Sequence, residues 1–211
     1  MLEEFKDIDT IVYRQLYNGL KKLSHAYLFN LNNNVHAEDM IMSFVKSIMC
    51  KYHTDKEEYN NLAMNIINNE HFLMTKNDMH HGRTKYEHLV RVSKCAFVMS
   101  KIFKADTITC TTAGLLHDLF YGERTDSIEN SYLNHPHTAR NNAVKYFGVG
   151  DKVACAIETH MFHHVILKKI FPFINREEEA SIKFSKPKSK EAWIVSIADL
   201  LVSINDSKFF V

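Results

Sequence analysis

Apolar residues return every three or four positions along much of this chain. Leu89, Val92, Ala96, Met99 and Phe103 mark one face of a helix, following the 3.6-residue period of a half-buried element. Thr84 and Glu87 stand just before it at capping-box spacing, where each can satisfy a free N–H of the first turn. The helix is expected to start there, with His88 at the edge of its apolar face. A second helix is expected from Asp106 as N-cap to Gly122 as C-terminal cap, carrying His117 and Asp118 in its last turns. The two are read as antiparallel, which brings His88 beside His117 and Asp118. His135-Pro136 opens a third helix, with His135 as cap and Pro136 at the first helical position, ending before Gly148. Gly150-Asp151 opens a fourth, in which Val153, Ile157, His160 and His164 share a face. The last helix, over 191–204, has Asp199 as its only charged residue after Glu191.

Ahead of these elements the pattern loosens. Residues 11–20 and 40–50 have helical periodicity on either side of the Asn-rich run 30–34, and Asn60, Asn61, Asn65, Asn68 and Asn69 interrupt the next apolar series. Residues 1–65 are therefore read as an N-terminal helical or mixed extension and 66–211 as the main domain. The polar stretch 123–134 reads as a loop. Residues 167–190, rich in Lys and Glu, read as a mobile loop or lid.

Composition narrows the fold class. With 6 Gly and 3 Pro against 45% hydrophobic residues in 211, few chain-breakers remain for hairpins, and an all-α, single-core protein is expected. The net charge of +1 gives no footprint for generic nucleic-acid or membrane binding. Cys50, Cys95, Cys110 and Cys155 are widely spaced, so neither a disulfide framework nor a zinc ribbon is indicated, and reduced thiols in a cytoplasm are expected. The acidic N-terminus and the lack of a long uncharged run argue for a soluble protein.

The chemistry concentrates in the histidines and two aspartates. Asp118 sits among Leu115, Leu116, Leu119 and Phe120, and Asp199 within an apolar helix. A carboxylate so placed needs a cation or imidazole partner, because an unpaired buried charge costs several kcal/mol. For the His117-Asp118 pair alone, a core histidine beside a solvent-facing carboxylate would suffice. Together, His88, His117, Asp118 and Asp199 place ligands from three helices around one point. Two His nitrogens and two carboxylates suit Mn²⁺ or Fe²⁺, while Zn²⁺, Co²⁺ and Ni²⁺ are also compatible. An ion so held would acidify a bound water and polarise a phosphoryl oxygen. Arg91, one turn after His88, is the preferred phosphate contact, with Lys94, Arg124 and Arg140 as further cations. Glu123 is a candidate proton donor to a leaving oxygen, although a surface position also explains it. Capping already accounts for Glu87, and His80, His81 and His137 are candidates for the entrance.

The order His88, then His117-Asp118, then Asp199 resembles the HD superfamily of metal-dependent phosphohydrolases. The likeness covers residues 66–206 and is closest to compact bacterial HD proteins. It rests also on His81-Gly82, Tyr86-Glu87-His88, His135-Pro136, His160-Met161 and Glu191-Ala192-Trp193-Ile194-Val195. It implies a helical bundle, one divalent ion on His88, His117, Asp118 and Asp199, and a second on His135 and His160 in two-metal members. Where two-metal phosphodiesterases carry a further His, this chain has Met161, so His163 or His164 would substitute, and the Gly-Tyr-Pro extension of cyclic-di-GMP phosphodiesterases is absent. Separately, Leu23-Ser24-His25-Ala26-Tyr27-Leu28-Phe29 resembles the opening of a clamp-loader subunit, but without the phosphate-binding Gly-x-x-x-x-Gly-Lys loop.

The resemblance implies hydrolysis of a phosphoester in a nucleotide or other small phosphorylated metabolite, by a chain that can form a homodimer. Two other readings use the same residues. One is a metal-stabilised, non-catalytic binding module that recruits a partner through its N-terminal region. The other is a two-iron, oxygen-dependent oxygenase.

Overall fold

The computed structural model describes residues 56–80, 83–123, 125–165 and 184–206, together with Asn18. Among these the chain forms α1 (Lys56–Ile67), the single turn α2 (Glu70–Leu73), a 3-10 turn (Met74–Asn77) and a minimal hairpin of β1 (Met79–His80) with β2 (Arg83–Thr84). There follow α3 (Lys85–Phe103), α4 (Thr107–Leu116), α5 (His135–Phe147), α6 (Asp151–Glu158), a 3-10 turn (His160–Phe162) and α7 (Lys190–Asp206). The protein is all-α, as its composition indicates. The expected helices over 11–20 (Asn18 apart) and 40–50, the Asn-rich run 30–34, the Leu23-to-Phe29 segment and most of the 167–190 loop lie outside the described residues. Among those described, no helix is long and apolar enough to cross a membrane.

Helix α3 is the axis of the bundle. Its capping box forms, Thr84 Oγ1 accepting from the Glu87 N–H and the Glu87 carboxylate accepting from the Thr84 N–H. Leu89, Val92, Ala96 and Met99 are buried, but so is every residue from Arg91 to Ser100. The helix is covered on all sides rather than on one stripe, because α4 and α7 both pack against it. Phe103, expected on the core face, is instead 48% exposed. It lies in the last turn, where Lys104 adopts φ +52° and turns the chain away.

Helix α4 runs antiparallel to α3. Ser100 Oγ donates to Thr107 Oγ1 at 3.2 Å, and Ser93 Oγ donates to the Thr111 carbonyl at 2.9 Å. Gly114 permits this approach, since a Cβ there would lie 2.7 Å from Ser93 Cα. Asp106 caps α4 by accepting from the N–H groups of Ile108 and Thr109. The helix ends earlier than expected, at Leu116 rather than near Gly122, with His117 as its cap. Beyond it the N–H groups find other acceptors, Leu119 the Leu116 carbonyl, Phe120 the Asp118 carbonyl and Gly122 the Asp78 carboxylate, so the i→i−4 ladder does not continue. Gly122 has φ +82° within that irregular segment.

Other boundaries also move by local chemistry. Asn134 caps α5 and His135 is its first helical residue, because the Ser131–Asn134 turn already receives the His135 N–H at Ser131 O. Gly148 ends α5 with φ +61°, as its position predicts. Helix α6 stops at Glu158, so His160 lies in the following 3-10 turn and the expected four-residue face is not continuous. Helix α1 spans residue 65, and its Tyr59 and Ala63 are buried in the same core, Tyr59 meeting Phe97 edge-on at 5.4 Å. Its Asn60, Asn61 and Asn65 face outward, and Asn69 caps α2.

Gly114→Ala should lower stability by about 1–3 kcal/mol in urea unfolding, as overpacking between two backbones does. An unchanged midpoint would contradict the close α3–α4 approach.

Candidate metal centre

Three parts of the bundle converge where α3 begins and α4 ends. His88 enters from the first turn of α3, His117 and Asp118 from the turn after α4, and Asp199 from the middle of α7. His135 from the start of α5 and His160 from the 3-10 turn complete the group, and all six are at most 5% exposed.

The distances define two overlapping halves. In one, Asp199 Oδ1 lies 3.2 Å from His88 Nε2 and 3.6 Å from His117 Nε2. In the other, Asp118 Oδ1 lies 3.3 Å from His135 Nε2 and 3.4 Å from His160 Nε2. Ligand atoms of His88, His117 and Asp199 fall within 4.8 Å of one another, as do those of His117, Asp118 and His160. His117 belongs to both sets, but its single inward lone pair can serve one ion at a time.

Backbone carbonyls orient the imidazoles. His117 Nδ1 faces Gly114 O at 2.9 Å, His160 Nδ1 faces Ile157 O at 2.7 Å, and His135 Nδ1 faces Ser131 O at 3.2 Å. In its neutral form, a ring that donates its Nδ1–H to a carbonyl leaves Nε2 free to ligate a metal. His135 Nε2 and His160 Nε2 face each other at 3.3 Å, both beside Asp118 Oδ1. Two imidazole nitrogens and a carboxylate oxygen so placed form a donor set that a cation can share, so the residues fit a metal ion. Asp199 is steadied in turn by Ser203, whose Oγ donates to Oδ1 at 3.0 Å.

Electrostatics point the same way. Burial alone would raise both carboxyl groups, yet His135 and His117 hold Asp118 well below the usual carboxylate range, and His117 and His88 do the same for Asp199. Burial likewise favours neutral His117, but Asp118 and Asp199 outweigh it and raise its pKa to about 9. His160 moves down to about 4, because desolvation prevails over its hydrogen bond to Asp118. The His117 proton offsets part of the charge of the two buried carboxylates, and a divalent cation could take its place.

The remaining sequence candidates separate. Arg91 and Lys94 are both buried on α3, with Lys94 Nζ 5.7 Å from the Tyr59 ring centre. Arg140 Nε lies 3.5 Å from Glu158 Oε2, where His137 Nδ1 also meets Glu158, at 3.2 Å. Glu123 is exposed in the loop, its N–H donating to Asp126. Glu87 is engaged in the cap. Arg124, His81 and the side chain of His80 lie outside the described residues. Of the two candidate substitutes, His163 is buried with Nδ1 3.9 Å from Asp199 Oδ2, whereas His164 packs edge-on against Tyr132 at 5.2 Å. Ser203 was missed, although its place four residues after Asp199 was a usable signal on a helix.

The sequence model described as HD domain matches residues 86–203. Comparison with curated proteins and with solved structures finds no match.

Metal binding should release close to one proton per chain near neutral pH, read from calorimetry in buffers of different ionisation enthalpy. Affinity should climb about tenfold per pH unit toward pH 9 and level off above it, as the His117 proton ceases to compete. An affinity independent of pH below 9 would contradict the protonated His117.

Proposed function

Because the chain belongs to the HD domain family, we propose that it is a metal-dependent phosphohydrolase that cleaves a phosphoester in a nucleotide or other small phosphorylated metabolite. The observation that carries this reading is the opposed pair of imidazole nitrogens beside Asp118, 3.3 Å apart and buried. His88, His117, Asp118 and Asp199 would hold one ion. His135 and His160, with Asp118 shared, would hold a second if two bind. Mn²⁺ or Fe²⁺ suits this mixed donor set best, with Zn²⁺, Co²⁺ and Ni²⁺ as alternatives. A bound ion supplies an acidified water and a polarised phosphoryl oxygen.

The chain's own residues supply the rest. Gly114 O, Ser131 O and Ile157 O fix three imidazoles with Nε2 inward, so little reorganisation is needed when a ligand arrives. Arg91, buried one turn from His88, is assigned to phosphate oxygens, where a guanidinium can donate two parallel hydrogen bonds. Glu123, exposed at the loop that follows, is assigned to proton delivery to the leaving oxygen. We place the enzyme in the cytoplasm and assign its substrate recognition to loop residues around this centre. The donor set also accommodates two irons, which keeps an oxygen-dependent oxidation as the second reading.

Protein reconstituted with Mn²⁺ or Fe²⁺ should release phosphate or a nucleotide product from a broad phosphoester panel. Asp118→Ala should reduce that rate by about 100-fold or more, since changing even a residue that supports a ligand typically costs 10- to 100-fold. Arg91→Met should raise KM by about tenfold. Two irons per chain with oxygen consumption and no hydrolysis would favour the oxygenase. Absence of both reactions, with metal retained, would favour a binding module.

A further inference from the structure

The segment that leaves Asp118 is held by an unusual arrangement of side chains. Five consecutive carbonyls, from Leu119 to Glu123, each accept a hydrogen bond from a side chain elsewhere in the fold. Asn142 Nδ2 donates to Leu119 O at 2.9 Å. Lys85 Nζ donates to Phe120 O at 2.7 Å and to Gly122 O at 3.2 Å. Asn130 Nδ2 donates to Tyr121 O at 2.6 Å and to Glu123 O at 3.3 Å. The Lys85 ammonium also donates to Asp78 Oδ2 at 3.1 Å, and the same Asp78 oxygen accepts from the Gly122 N–H at 3.1 Å.

Lys85 is 1% exposed and sits 3.5 Å over the Phe120 ring. An ammonium so deeply buried contributes less to stability than a well-packed apolar side chain of similar volume, so packing alone does not account for it. Its position does. Lys85 lies one turn before His88 on α3, and Asn142 lies two turns after His135 on α5. Through these two donors the backbone immediately after Asp118 is tied both to the helix that carries His88 and to the helix that carries His135. The separation of Asp118 from each partner is thereby set by fixed bonds rather than by an unsupported loop.

We propose that Lys85 and Asn142 are positioning residues that hold Asp118 in register between the two halves of the metal centre. Lys85 does so through Phe120 O and Gly122 O, with Asp78 neutralising its charge. The proposal rests on the metal-centre reading above and extends it to residues that touch no ion.

The test uses the full chain loaded with Co²⁺, whose visible absorption reports coordination geometry. Lys85→Met keeps the side-chain length and removes the donor. It should weaken Co²⁺ affinity by about 10- to 100-fold, as loss of outer support does, and alter the shape of the visible spectrum. Phe97→Leu, a core change several turns from His88, should lower thermal stability and leave the spectrum unmoved. If Lys85→Met does not fold, Asn142→Ala gives the same readings from the half-buried α5 side. Wild-type affinity and an unaltered spectrum in whichever variant folds would overturn the proposal alone. A wild-type chain that binds no Co²⁺, Mn²⁺ or Fe²⁺ would overturn the metal-centre reading and the proposal with it.

Discussion

Two carboxylates lie inside a helical bundle where water cannot solvate them, and the fold is arranged around that constraint. Asp118 and Asp199 are 2% and 5% exposed, and an ionised carboxylate so placed must be met by positive charge or by hydrogen bonds. The bundle answers with imidazoles from every adjoining element: His88 from α3, His117 after α4, His135 from α5 and His160 after α6. Each of these helices starts or stops where its histidine has to point inward. Regular backbone gives way to caps and turns at the centre, and the helical cylinders pack around it.

The same constraint accounts for the electrostatic asymmetry. His117 faces both carboxylates and has its pKa raised to about 9, while His160, equally buried and next to other imidazoles, is lowered to about 4. His117 therefore balances part of the carboxylate charge, while burial keeps the His160 ring neutral. Because the Nδ1 atoms of His117, His135 and His160 are bonded to backbone carbonyls, the geometry of these three rings is fixed by secondary structure. A metal ion that entered there would exchange with a proton rather than rearrange the rings.

Support extends outward in layers that are polar but satisfied. Ser203 steadies Asp199, and Ser196 donates to His160 O while accepting from the His163 N–H, joining α7 to the turn that carries His160. Lys85, Asn130 and Asn142 hold the irregular backbone after Asp118. They hold a segment that the sequence pattern would have continued as helix toward Gly122. The loop over 125–134 is likewise held by side chains, with Asn134 Nδ2 donating to Ile128 O and Thr138 Oγ1 of α5 to Glu129 O.

The sequence by itself determined the helical class, the capping box at Thr84 and Glu87, the stop at Gly148, and the likeness carried by His88, His117-Asp118 and Asp199. Those features are local: periodicity, caps and the anomaly of a charged residue among apolar neighbours depend on a few adjacent positions. Only the tertiary structure decided that α4 ends at Leu116, that α3 is covered on every side, and that His163 lies near Asp199. It also decided that a buried lysine would anchor the segment beyond Asp118. Each of these depends on donors and acceptors that are dozens of residues apart along the chain and meet only when the helices pack. A hydrogen bond from Lys85 to Phe120 O leaves no trace in periodicity. Nor does the bond from the Gly122 N–H to Asp78 Oδ2, which takes a donor that the local pattern alone would have paired with Asp118 O.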